Sequence, residues 1–79
     1  MTRLDLSENK LTDVKGLEKL TQLRILDLYN NQLTDVSGLE NLTQLETLQL
    51  EDNPDLTKAQ IAELQKALPN CNIDSNPTK

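Results

Sequence analysis

The chain has no histidine, phenylalanine or tryptophan, one tyrosine and one cysteine, and only two glycines and three prolines among its 79 residues. Each scarcity excludes something. Without histidine or a Gly-rich phosphate loop, the common general base, the imidazole metal ligand and the phosphate cradle are all missing, so an enzyme is not expected. With Cys71 alone, no intramolecular disulfide can form, and a small scaffold held by cysteine bridges is ruled out. No apolar run reaches membrane-spanning length, and no basic segment followed by an apolar one opens the chain. A chain complete as written is therefore expected in the cytoplasm, whereas a piece of a longer protein leaves secretion or the cell surface open. Basic residues are also few: 8 Lys and Arg stand against 13 Asp and Glu, for a net charge of -5. That balance disfavours nucleic acid and anionic membranes as partners and favours a protein with a basic surface.

What the chain does have is leucine in a fixed order. Leu26-Asp27-Leu28-Tyr29-Asn30-Asn31-Gln32-Leu33 reads L-x-L-x-x-N-x-L. The same pattern stands 22 positions earlier, from Leu4 to Leu11, and 22 positions later, from Leu48 to Asn53. A unit written three times at this period builds a stack, because each copy buries its apolar side only against its neighbours. We expect one domain over 1–74, with units at about 2–22, 23–44 and 45–67, a closing strand at about 70–74 and a polar tail at 75–79.

Within each unit the spacing changes. Alternation puts Leu4 and Leu6 on one face of a short strand, with Arg3, Asp5 and Ser7 on the other. Leu11, Val14, Leu17 and Leu20 then come at intervals of three, which suits 3₁₀ turns. The second unit repeats this with Leu33, Val36, Leu39 and Leu42, and Gly16 and Gly38 read as equivalent turn residues. The third departs after Asn53. Thr57 to Leu68 reads as an α-helix, with Thr57 as N-cap, Gln60 completing a capping box, and Ile61, Leu64 and Leu68 on one face before Pro69 stops it. Allowing one inserted residue, Leu68, Cys71 and Ile73 take the places of Leu45, Leu48 and Leu50.

The run L-x-x-L-x-L-x-x-N-x-L, present as Leu23 to Leu33 and nearly complete as Leu45 to Asn53, resembles the leucine-rich repeat family. It is similar to the subclass with 22-residue units found in bacterial internalin-like proteins and in eukaryotic phosphatase-regulating proteins. The resemblance covers Leu4 to about Ile73, and the ending from Leu56 looks like the closing segment of the bacterial members. It implies an α/β fold: a right-handed leucine-rich repeat solenoid with a short parallel sheet on the concave side, 3₁₀ or irregular turns on the convex side and a C-terminal helix. It also implies a protein-binding scaffold whose partners meet the concave face.

Candidate roles follow from position. Asn9, Asn31 and Asn53 stand where the chain turns inward, and an inward amide can bond the backbone groups that a corner leaves unpaired. The outward strand positions form three columns: Arg3, Ile25, Thr47 and Asn70; Asp5, Asp27, Gln49 and Asn72; Ser7, Tyr29, Glu51 and Asp74. Tyr29 is the expected anchor of a protein contact, Ile25 its support and Asp27 its charge, with Asp5, Thr47, Gln49 and Glu51 completing the face. Glu51, Asp52 and Asp55 carry oxygens of the kind calcium takes, but they read as turn residues, and no metal or cofactor is expected. Twelve outward positions are few for an interface, which takes about 20 to 30 residues per partner. With nothing ahead of Leu4 in the pattern, one flank of Leu6, Leu11, Val14 and Leu17 is expected to be covered by a further repeat or by self-association.

Overall fold

In the computed structural model, which describes residues 2–75, four three-residue strands carry the alternating leucines. They are β1 (Arg3–Asp5), β2 (Ile25–Asp27), β3 (Thr47–Gln49) and β4 (Asn72–Asp74). All pair in parallel in the order β1-β2-β3-β4, with Leu4 opposite Leu26, Leu26 opposite Leu48, and Leu48 opposite Ile73. Parallel neighbours need a crossover, and three different segments provide it. The first two are 3₁₀ turns at Leu17–Lys19 and Ser37–Asn41, and the third is helix α1 at Lys58–Ala67. The result is an α/β solenoid with the sheet on one side and the turns on the other.

The interval of three between leucines has a direct backbone counterpart. Leu17, Leu20 and Leu23 donate their N–H groups to the carbonyls of Val14, Leu17 and Leu20, and Leu39, Leu42 and Leu45 do the same to Val36, Leu39 and Leu42. Each such turn aims its leucines at the strands. The two glycines are not equivalent, however. Gly16 has φ of 89° and caps the first turn from the left-handed region, whereas Gly38 lies inside the longer second turn.

Helix α1 is fastened at both ends. At its start the Gln60 N–H donates to Thr57 Oγ1 (3.2 Å) and the Thr57 N–H donates to Gln60 Oε1 (3.1 Å), so both halves of the capping box are present. The Gln60 amide also donates to the Thr34 carbonyl (2.7 Å), which pins the helix to the turn side of the preceding unit. At the other end Gln65 Nε2 donates to the carbonyls of Leu68 and Cys71, both at 3.0 Å.

The helix also changes the count. Leu26 and Leu48 lie 22 positions apart, but Leu48 and its partner Ile73 lie 25 apart. The expected single insertion, which paired Ile73 with Leu50, is therefore short by two. An α-helix advances only about 1.5 Å per residue against about 2.0 Å for a 3₁₀ turn, so crossing the same width of solenoid takes more chain. Of the polar tail expected at 75–79, only Ser75 falls within the described residues.

The core is a single column of side chains. Leu26, Leu28, Leu33, Leu39, Leu42, Leu48 and Leu50 are all 0% exposed, with Leu23, Val36, Leu45, Leu64, Leu68 and Cys71 packed among them. Two polar residues share this interior. Asn31 Oδ1 accepts the N–H groups of Asn9 (2.9 Å) and Leu11 (3.0 Å), and its Nδ2 donates to the carbonyls of Leu6 and Leu28, both at 3.0 Å. Every hydrogen-bonding position of that amide is used. One unit on, Asn53 accepts the Leu33 N–H (3.3 Å) and donates to Leu28 and Leu50 (2.9 Å each). Asn9 differs: it is exposed, and among the described residues its amide reaches only the Ser7 carbonyl (3.1 Å).

Candidate functional site

Parallel register lays the outward side chains of the four strands in rows across the concave face. Arg3, Ile25, Thr47 and Asn72 form one row and Asp5, Asp27, Gln49 and Asp74 the next. Two positions expected from sequence move as a consequence of the helix. Asn72, not Asn70, lies beside Thr47, and Asp74 lies beside Gln49 instead of Glu51. Ser7, Tyr29 and Glu51 continue into a third row, in which the Glu8 N–H donates to the Tyr29 carbonyl and the Asn30 N–H to the Glu51 carbonyl.

The middle row has a role in the backbone. Asp5 Oδ1 accepts the Ser7 N–H (3.0 Å), Asp27 Oδ1 accepts the Tyr29 N–H (3.0 Å) and Gln49 Oε1 accepts the Glu51 N–H (2.8 Å). The same side-chain bond to the N–H two residues on thus ends each of the first three strands. Asp5 also accepts from the Ser7 hydroxyl (2.7 Å). The bonds from Ser7, backbone first and hydroxyl second, hold the Asp5 carboxyl below its ordinary range. Asp27, expected from sequence to supply charge on the face, is thus also part of the repeat. What hides this is Gln49, which keeps the acceptor oxygen and loses the charge.

Beyond that row the backbone turns through the left-handed region at matching places, with φ of 58° at Glu8, 58° at Asn30 and 61° at Asp52. Asn and Asp tolerate this conformation better than other residues with a side chain. The turn brings carboxylates from neighbouring units around Tyr29. A hydrogen bond to Asp52 is the main cause that raises the phenol above its ordinary value, followed by the charge of Asp52, and Glu51 and Glu8 add to it. The acidic edge that Glu8, Glu51 and Asp52 give the sequence thus closes on this ring.

Tyr29 and Ile25 are the exposed large apolar side chains among the described residues, at 39% and 37%, and both lie on this face. The ion pair recorded among the described residues joins Arg24 to Glu46 at 3.8 Å across exposed side chains, so the carboxylates of Glu8, Glu51 and Asp52 have no basic side chain paired with them. Thr47 and Gln49 are half-buried and Asp5 and Glu51 exposed, which makes the face shallow and polar around its two apolar residues. Two hollows among the described residues lie on the turn side. One, of about 230 Å³, is lined by Val36 and Leu64 with Asp35, Glu40 and Glu63 at its rim. Among the described residues no group of three or more His, Cys, Asp or Glu is placed to hold a metal ion, and no helix is long and apolar enough to cross a membrane.

Short parallel strands in register, an amide at each inward corner and a turn or helix on the reverse side define a solenoid repeat protein with an open sheet face. The family is specific. The model for leucine-rich repeats in two copies matches residues 1–41 and again residues 21–76, and the chain belongs to the leucine-rich repeat family. A solved structure of a leucine-rich repeat protein from Leptospira interrogans is 38% identical and superimposes with a TM-score of 0.80 over 90% of this chain. The chain spans 18% of that protein's length. No curated protein matches it. Leucine-rich repeat proteins generally mediate protein–protein contacts and are typically scaffolds without enzymatic activity.

Proposed function

We propose that the chain is a protein-interaction scaffold that takes the basic surface of a partner against its concave sheet face, as part of a longer repeat array. The observation that carries the reading is the pairing of Ile25 and Tyr29, the two exposed large apolar side chains, on one face of the sheet. Tyr29 is the anchor: a partly dry ring beside Glu8, Glu51 and Asp52 suits a lysine or arginine side chain, which packs its stem on the ring and its charge among carboxylates. Ile25 supports it from the neighbouring row. Asp27 gives charge as well, through the carboxylate oxygen that the Tyr29 N–H does not occupy. Asp5, Thr47, Gln49 and Glu51 form the polar surround.

Size supports the array. A standard interface removes about 800 Å² from each partner, and a face three strand residues deep supplies only part of that. Neighbouring units would supply the rest. The other reading, contact between copies through the N-terminal flank, is favoured by the half-open leucines of the first unit and predicts a dimer in light scattering.

The concave-face reading is tested by calorimetry with two extended peptides, one alternating Lys with Leu and the other Glu with Leu. The basic peptide should bind, more weakly with added salt and more weakly still to Tyr29→Ala. Equal binding of both peptides, or no change with Tyr29→Ala, would overturn it.

A further inference from the structure

The concave face is not uniform along its strands. In the first row Arg3 is the charged side chain, beside Ile25, Thr47 and Asn72. The second row holds the carboxylates of Asp5, Asp27 and Asp74. Beyond it Glu51 continues the third row, and Glu8 and Asp52 close on the Tyr29 ring from the corners on either side. The charge of the face thus changes from basic to acidic along the strand direction. Arg24 and Glu46, just ahead of the strands, pair with each other at 3.8 Å and offset one another. The two exposed large apolar side chains stand at opposite ends of this gradient, Ile25 beside Arg3 and Tyr29 among the carboxylates.

We propose that this face takes an extended partner segment in one placement, with an apolar side chain against Ile25 and an arginine, four residues away, against Tyr29. The proposal rests on the concave-face reading above and adds the spacing, the cation and the orientation. The step from Ile25 to Tyr29 spans about 13 Å at about 3.3 Å per residue. The ladder carries the chain past Asp27 in extended form, since Leu28 donates its N–H to the Gln49 carbonyl and Glu8 donates to that of Tyr29. A segment laid along β2 advances by the same step, so its side chains i, i+2 and i+4 face Ile25, Asp27 and Tyr29. The middle one needs a donor, because Asp27 gives one oxygen to the Tyr29 N–H (3.0 Å) and leaves the other open. This spacing serves in either chain direction. The charged end is fixed, because a cation laid on Ile25 would meet Arg3 beside it.

Arginine suits the Tyr29 end better than lysine. Its planar guanidinium stacks on a ring and keeps N–H donors pointing to both sides within its own plane. Carboxylates stand on both sides of Tyr29, with Glu8 on the first unit and Glu51 and Asp52 on the third. An ammonium is a compact charge without that reach. The hydrogen bond to Asp52 also holds the ring before a partner arrives, which lowers the ordering cost of binding.

The test is an NMR titration of the chain with short capped peptides, of which Leu-Thr-Thr-Thr-Arg is the match. It should shift the amides of Ile25, Asp27 and Tyr29. The same peptide with Lys for Arg should bind severalfold more weakly. Leu-Arg-Thr-Thr-Thr, of identical composition, should bind about tenfold more weakly, the worth of a half-buried leucine lost. A spin label at the Leu end of the match should broaden the amides of Arg3 and Thr47, and one at the Arg end those of Glu8 and Asp52. Arg3 is exposed, and in Arg3→Glu, which removes the gradient, each label should broaden both groups. If no peptide shifts this face, the concave-face reading falls together with the proposal. If the peptides bind there but spacing and cation make no difference, or each label broadens both groups in the unaltered chain, that reading stands and the proposal alone is overturned.

Discussion

The first and second units carry the same leucines, the same corner asparagine and the same Leu-Thr-Asp-Val segment, yet their interiors differ. Leu26 is sealed where Leu4 is half open, and Asn31 is 3% exposed where Asn9 is a surface residue. Composition cannot account for this, because it is nearly constant between the two. Burial in a stack is a property of the neighbour, so the contribution of a residue depends on which units flank its own. The C-terminal end makes the same point from the other side. There α1, tied down by Gln60 and Gln65, covers the third unit, and Leu64 and Leu68 are buried.

The largest test of that contrast is a pair of truncations. Leu26→Ala should cost about 2 to 5 kcal/mol, as for other fully buried leucines, and Leu4→Ala about 1 kcal/mol, in keeping with the smaller area it covers. Equal losses in urea melts would mean that the first unit is as well covered as the second. Next comes Asn31→Leu, expected to cost about 1 to 3 kcal/mol for the buried backbone groups left unpaired, against no measurable change for Asn9→Leu in the same melts. A smaller effect separates the glycines. Gly16→Ala should destabilise by about 1 kcal/mol because of its left-handed backbone. Gly38→Ala should be close to neutral, since an added Cβ would meet Val14 and Glu18 at an ordinary 3.6 Å.

The smallest effect is expected at two aspartates, one at a strand end of the first unit and one in the turn segment of the second. Asp5 and Asp35 are exposed, and each is held below its ordinary pKa of 3.8 by hydrogen bonds from the residue two positions on, Ser7 and Ser37. A carboxyl depressed in the folded state stabilises the fold above the unfolded value, and that gain is lost as pH falls through the lower folded value. Urea melts from about pH 5 down to about pH 2 should therefore show a shallow acid loss, reduced alike by Asp5→Asn and Asp35→Asn. An acid loss that neither substitution reduces would mean that these bonds do not support the fold.

Much of the fold was legible because the same positions recur. Period 22 located three strands and two turns, and the Thr57 and Gln60 pair located the helix start. Three things escaped for physical reasons. The register of β4 depends on how far the chain advances per residue, which residue counting does not measure. The structural bond of Asp27 was masked by Gln49, which preserves the oxygen while changing the letter. The exposure of Asn9 depends on its surroundings, and its own unit reads like that of Asn31. At the candidate face, Tyr29 and Ile25 stood out as the large apolar side chains at outward strand positions, and the carboxylates of Glu8 and Asp52 reach Tyr29 from corners of adjacent units.

The backward reach of the asparagines also sets an order of events during synthesis. The Asn31 amide closes the corner that begins at Leu6, 25 residues before it, and Asn53 does the same for Leu28. A ribosome delivers the N-terminal residues first, so each corner emerges before the side chain that completes it. A unit leaving the exit tunnel must therefore wait for its successor: the first corner closes once Asn31 has emerged and the second once Asn53 has.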